Sequence, residues 1–468
     1  MTITRSFLQG AILLALFGVA ASAADELQAA PDAKQAAPDA KPAALDAKPT
    51  PADAKKAAVE EEKQRLAEAE AAFKQIIEAT TKLVQLFPRE ASYQNELARC
   101  YAGLASVQFR GGHPQEGEAS YKRSIEQLEK LAVDNPKVID YRVNLIQSYS
   151  WLGAEQVRTG RANEGKEIYQ RAVAAQEKLI RDFPAAKDQE ELLATLHLYA
   201  GIAARTAGAL NEAELIQQQT IELLRKLAAT KPALRSSLAF AFVAYGDTLA
   251  MSDRWQDAAD AYSSAVTIDN RVRVYCTRRA VLLLAAGDTQ GYQAACADLI
   301  ERFGKTDNPV DAMYIAETCV LGERALADMA PVIALAQRAV AANPASPIAK
   351  TVLGAAELRN GQTEQAITTL KAASPQFAAG AFLPPPQRDL LRLSRLLAEM
   401  SLAVAFQKQG NREDVDSQVK TIRKVIEKLG EAAPPANDSP FAPWSISVAV
   451  TIANRQLAEL AGDKVEQK

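Results

Sequence analysis

A chain of 468 residues is too long for one compact core, so several domains or an elongated array are expected. Apolar residues make up 48% and charged residues 24%, while aromatics are only 6% in a chain rich in alanine. That balance favours closely packed helices over a β-sandwich. The formal net charge of −3 supplies no basic field, which excludes nucleic acid and anionic membrane surfaces as expected partners.

Residues 1–23 have the layout of a secretory signal peptide. Arg5 gives a positive start, Phe7 to Ala20 is apolar, and Ala21-Ser22-Ala23 is an A-x-A cleavage site. The alternative is an uncleaved anchor, but the run is shorter than the roughly 20 residues a spanning helix needs. Cleavage is therefore expected, with a mature chain exported to the periplasm or secreted and not inserted in the membrane.

Residues 24–52 form a Pro/Ala/Lys-rich linker with a degenerate Pro-Asp-Ala-Lys repeat. Without large apolar residues it cannot build a core, so it is expected to be a disordered spacer. From Asp53 to Phe87 the pattern turns helical. Leu66, Phe73, Ile76, Ile77, Leu83 and Leu86 recur at helical steps, and Pro88 ends the helix.

Next comes a repeat. Tyr101 returns 48 residues later as Tyr149, Gly112 as Gly160 and then Gly208, and Tyr121 as Tyr169. Pro136 returns as Pro184 and Pro232, and Pro88 sits one period before Pro136. Spacing this regular means one structural unit copied and stacked. Each unit is predicted to be two helices, about Tyr93–Arg110 and Pro114–Asp134 in the first, broken by glycine and ended by proline. The Asp53–Phe87 helix matches a second helix and is expected to cap the array. Small residues face each other within each unit: Ala105, Gly153 and Gly201 on first helices, Gly117, Gly165 and Ala213 on second helices. Axes approach closely only where side chains are small.

Tyr149-x-x-Leu152-Gly153 with Gly160, Tyr169 and Ala172 resembles the tetratricopeptide (TPR) repeat family. The usual TPR period is about 34, so 48 implies second helices and loops lengthened by roughly 14 residues. The resemblance implies an all-α, right-handed superhelical solenoid of stacked antiparallel helix pairs. Residues 53–232 are expected to hold the long-period array and its capping helix. Standard and divergent units fill 233–430, and a loop with a closing helix fills 431–468. The sequence also resembles the long-repeat arrays attached to some bacterial receptor-type serine/threonine kinases, without the kinase: no glycine-rich nucleotide loop, HRD or DFG occurs.

Nothing points to catalysis, a cofactor or a metal. HExxH, CxxC, GxSxG, Walker A and GxGxxG are all absent. His197 takes the place of Tyr101 and Tyr149, which predicts packing, and His113 is expected in a solvated turn. Cys100, Cys276, Cys296 and Cys319 are too few for a disulfide scaffold. A Cys276–Cys296 bridge and small buried thiols are the two readings.

In a solenoid of this kind the first helices line a groove. Its positions are Arg99, Ala102, Ser106, Phe109 and Arg110; then Gln147, Ser150, Ala154, Val157 and Arg158; then Thr195, Leu198, Ile202, Arg205 and Thr206. Arg110, Arg158 and Arg205 recur near the helix ends, either to take carboxylates of an extended peptide or as C-terminal charge favoured by the dipole. Trp151 is the candidate aromatic anchor. The resemblance offers a lysine–asparagine peptide clamp, but Ala102/Ser106, Ser150/Ala154 and Leu198/Ile202 lack it. The expected function is an exported, non-enzymatic scaffold that binds a protein or peptide. The alternatives are a carrier of a small ligand and a structural spacer.

Overall fold

The computed structural model describes residues 51–186, 188–379, 385–430 and 445–461. The expected signal peptide, nearly all of the linker and the 431–443 loop lie outside the described residues. Every described element is a helix: α1 Pro51–Leu86, α2 Ala91–Arg110, α3 Pro114–Asp134, α4 Ile139–Arg158, α5 Ala162–Asp182, α6 Gln189–Thr206 and α7 Leu210–Thr230. After a 3-10 turn at Pro232–Leu234 come α8 Arg235–Met251, α9 Trp255–Ile268, α10 Arg273–Ala286, α11 Thr289–Phe303, α12 Pro309–Val320 and α13 Ala330–Ala342. The series ends with α14 Pro347–Arg359, α15 Thr363–Ala379, α16 Pro385–Lys408, α17 Arg412–Gly430 and α18 Ser445–Ala461.

The 48-residue ruler is written into the backbone. Second helices α1, α3, α5 and α7 end at Leu86, Asp134, Asp182 and Thr230, two residues before Pro88, Pro136, Pro184 and Pro232. The residue preceding each of the last three prolines leaves the helical region: Asn135, Phe183 and Lys231 have φ of −126°, −134° and −127°. Crowding by the proline ring disfavours helix there. At the inter-helix turns Gly112, Gly160 and Gly208 have φ of +82°, +83° and +78°, with nothing near the place a Cβ would take. These glycines are required by conformation and not by space.

Two bodies divide at Ile216 and Gln217. In the first, α2/α3 and α4/α5 pair, α1 packs on α2, α3 on α4 and α5 on α6. Its core runs from Ala98 and Leu104 through Tyr121, Leu128, Ile146 and Leu152 to Leu179 and Leu196. In the second, α8/α9, α10/α11, α12/α13, α14/α15 and α16/α17 pair in turn. Its largest core gathers Tyr262, Leu282, Tyr292, Ile315 and Val352.

All four cysteines are buried and unbridged, so the buried-thiol reading holds and the Cys276–Cys296 bridge is not formed. Cys319 lies against Cys296. That contact, together with burial, pushes its thiol well above the ordinary range.

The expected substitution of histidine for tyrosine packing has a cost that the sequence does not show. Tyr149 donates its hydroxyl to Glu129, and Arg171 pairs with Glu129 at 2.5 Å while lying 4.8 Å over the Tyr149 ring. One period later His197 is half-buried with neither ring nitrogen hydrogen-bonded. Burial lowers its pKa, against a weaker pull from Glu177. His197→Tyr should therefore stabilise the first body by about 1 kcal/mol at neutral pH, since an unmade buried bond costs about 1–3 kcal/mol. A folded pKa below the unfolded value of about 6.5 means the unfolded chain takes the proton first, so native stability falls as pH drops through that window. The variant's advantage in urea midpoint should widen between pH 7 and pH 5. An advantage that shrinks on acidification would contradict this account.

Candidate functional site: the first-helix faces

Residues three, four, seven and eleven apart share one helix face. On α2, Arg99, Ser106 and Arg110 are exposed along such a face, and the small Ala102 forms its buried floor. Phe109 does not join them. It is buried against Gly117, with its ring 5.9 Å from that of Tyr121, because the close α2/α3 approach draws it inward. On α4, Gln147 and Ser150 are half-buried while Ala154 and Arg158 are exposed; Val157 is half-buried and turned towards Gly165. On α6 the face grows more apolar: Leu198 is buried, and Thr195, Ile202, Arg205 and Thr206 are half-buried.

The recurring arginines already hold carboxylates or sit in the wall. Arg99 pairs with Glu96 at 2.9 Å, Arg110 with Glu62 of α1 at 2.5 Å, and Arg158 with Glu155 at 2.7 Å. Arg205 is half-buried on α6. Exposed pairs of this kind are worth roughly 0–1 kcal/mol, so a competing carboxylate could exchange for Glu96, Glu62 or Glu155 at little cost. Trp151 is half-buried on the neighbouring face of α4, its ring 6.4 Å from Tyr121, and it packs against the core between units. Ser150 hydrogen-bonds back to the Ile146 carbonyl at 3.0 Å.

The second body arranges its first helices differently. The C-terminal helix α18 packs on first helices α10 and α16. Val448 and Ile452 enter the main core, while Ala453 and Leu457 join the cluster of α16 and α17. The Arg455 guanidinium donates to the Leu284 and Ala285 carbonyls at 3.0 and 2.9 Å, and Gln456 donates to the Leu321 carbonyl at 3.1 Å. These carbonyls close α10 and α12, where the helix dipole favours a cation. The chain thus lays its own helix across these first helices. No local pattern announced Arg455 or Gln456, since their partners are 135 to 171 residues away.

Two charged groups of the second body are shaped by burial. Glu317 on α12 has its pKa raised to about 7 by desolvation alone. Asp247 accepts from the Tyr262 hydroxyl at 2.6 Å and faces Arg278 at 3.9 Å. Among the described residues no group of three His, Cys, Asp or Glu side chains is placed to hold a metal. No described helix is long and apolar enough to cross a membrane.

Together the paired helices, glycine turns and small-residue contacts define an all-α array of TPR-like helix pairs. Within that class it is a long-period form, with a 48-residue spacing through its first three units. No protein-family model matches the sequence, and no curated protein matches it. Similar solved structures include the C-terminal part of a TPR repeat-containing protein from Cytophaga hutchinsonii, 15% identical over 62% of this chain and 99% of that one, with a TM-score of 0.39. A tetratricopeptide repeat protein from Parabacteroides merdae is 12% identical over 64% and 98%, with a TM-score of 0.34. BtubC from P. vanneervenii is 17% identical over 50% and 90%, with a TM-score of 0.39.

Proposed function

We propose that the protein is an exported, non-enzymatic scaffold that binds a protein or extended peptide along the first-helix face of α2, α4 and α6. The observation that carries this reading is the contrast between the two bodies. In the second, α18 lies across α10 and α16. In the first, Arg99, Ser106, Arg110 and Arg158 stay exposed on the corresponding helices. Three guanidinium groups in weak surface pairs suit a partner segment carrying acidic side chains. The more apolar α6 end suits a segment with an aliphatic residue beyond them. The A-x-A site and the preceding apolar run support export, and the long period supports kinship with the kinase-attached arrays.

The test is charge reversal. Arg99→Glu/Arg110→Glu/Arg158→Glu should cut recovery of the partner from an envelope fraction at least tenfold, with thermal unfolding nearly unchanged. Equal recovery by wild type and variant would remove this face from consideration.

A further inference from the structure

We infer that Cys296 and Cys319 are joined by a disulfide when the chain folds under oxidising conditions, a bond that fastens α11 to the end of α12. That the cell supplies such conditions rests on the export reading. The choice of partners rests on the packing of the second body.

The end of α12 is held from three sides. The Tyr292 hydroxyl of α11 donates to the Thr318 carbonyl at 2.7 Å and accepts from the Gly322 amide at 3.0 Å. Arg359 of α14 donates to the Val320 carbonyl at 3.4 Å, and Gln456 of α18 to the Leu321 carbonyl at 3.1 Å. The Tyr292 ring occupies the place that a Cβ on Gly322 would take, so α11 reaches the backbone itself there. Cys319 stands in the middle of these contacts and is fully buried.

Cys296 follows Tyr292 by four residues and shares its face of α11. Tyr292 anchors that face on residues 318 to 322, and Cys296, one turn along, lies against Cys319. Tyr292 is close enough to both thiols to be influenced by each. Cys276 belongs to the same core but looks elsewhere. Arg279, one turn on from it, reaches Asp298 at 3.5 Å, and Asp298 is the acidic group that acts on the Cys276 thiol. Residues two apart on a helix do not share a face. The side of α11 that meets Cys276 is therefore not the side that carries Cys296. The bridge suggested by spacing within one helix pair gives way to a bridge between pairs.

The chemistry is thiol–disulfide exchange with an oxidant that itself carries a disulfide. One cysteine thiolate attacks the oxidant, forms a mixed disulfide and releases the first thiol. The second cysteine attacks that mixed bond, the Cys296–Cys319 bond forms, and the second thiol leaves. Two electrons and two protons pass from the cysteines to the oxidant. A buried thiol offers little thiolate and no approach, so the exchange belongs to folding, before the core has closed. The bond encloses 22 intervening residues and so restricts the unfolded chain.

Refolding the reduced, denatured chain in mixed reduced and oxidised glutathione should leave two of the four thiols free. Peptide mapping should place the single bond at Cys296–Cys319. Cys276→Ala should form the same bond, while Cys319→Ala should form none and should keep its helical circular dichroism. The bonded chain should melt about 5 °C or more above its reduced form. Four free thiols after refolding, a Cys276–Cys296 bond as the main product, or a bond retained in Cys319→Ala would each overturn the proposal. Protein taken from an envelope fraction and alkylated in denaturant before reduction should carry the bond, and four free thiols there would also overturn it. Protein found only in the cytoplasm, with free thiols that bond on refolding, would instead overturn export and support the pairing.

Discussion

Gly165→Leu is expected to cost about 3 kcal/mol or more, the upper end for overpacking. A Cβ at Gly165 would lie 2.8 Å from the Gly153 carbonyl oxygen of the facing helix and 2.6 Å from a Val157 methyl. The oxygen belongs to a backbone already committed to helix, so it cannot swing away as a flexible side chain would. The axes of α4 and α5 must separate, and Tyr169, which fills the space beside Gly153, loses its contact. Folding stabilities are about 5–15 kcal/mol for a domain, so the second unit would lose a large share of its margin. Gly160→Ala provides the contrast. It has open space around it but a φ of +83°, and should cost about 1–2 kcal/mol through backbone strain alone. Urea denaturation of both variants checks the order, and a Gly165→Leu loss no larger than that of Gly160→Ala would show the helices are not held at contact distance.

Arg455→Ala should release α18. The guanidinium makes two charge-assisted bonds to helix-ending carbonyls, and bonds to a charged group are worth about 1.5–3 kcal/mol each. Part of that is offset by water reaching the freed carbonyls, leaving a net loss of about 3 kcal/mol. Amide hydrogen exchange across 445–461 should then quicken by roughly a hundredfold, at about 1.4 kcal/mol per decade. Exchange in α2 to α5 should not change. Arg455→Lys should fall between, because an ammonium cannot fork both carbonyls. Exchange that stays slow in Arg455→Ala would mean that Val448, Ile452 and Leu457 hold the helix without the cation.

Much of the architecture was legible in the sequence because it is local and repeated. A proline disfavours helix in the residue before it, and after each long second helix that is enough to end it. A left-handed turn favours glycine, which meets no strain there, though Asp253 takes that conformation between α8 and α9 with φ +56°. With both punctuations recurring every 48 residues, the predicted first unit, Tyr93–Arg110 and Pro114–Asp134, agrees with the observed helices to within two residues at one end. The closing helix expected within 431–468 is α18, Ser445–Ala461, and the sequence did not show where it packs. The same spacing assigned the first-helix face residues. Their state was less legible: Phe109 turned into the core, Arg110 took Glu62 as a partner, and Trp151 packed on Tyr121.

The sequence by itself determined what depends on neighbours along the chain: helix ends, turn conformations and the small-residue contacts within each pair. Only the tertiary structure decided what depends on neighbours in space. It set Cys319, and not Cys276, against Cys296. It also carried Arg455 to the end of α10, where the bonds close a span of some 170 residues. Periodicity states that a residue faces something, and it is blind to what arrives there, because contacts across such separations leave no mark on the spacing of either partner.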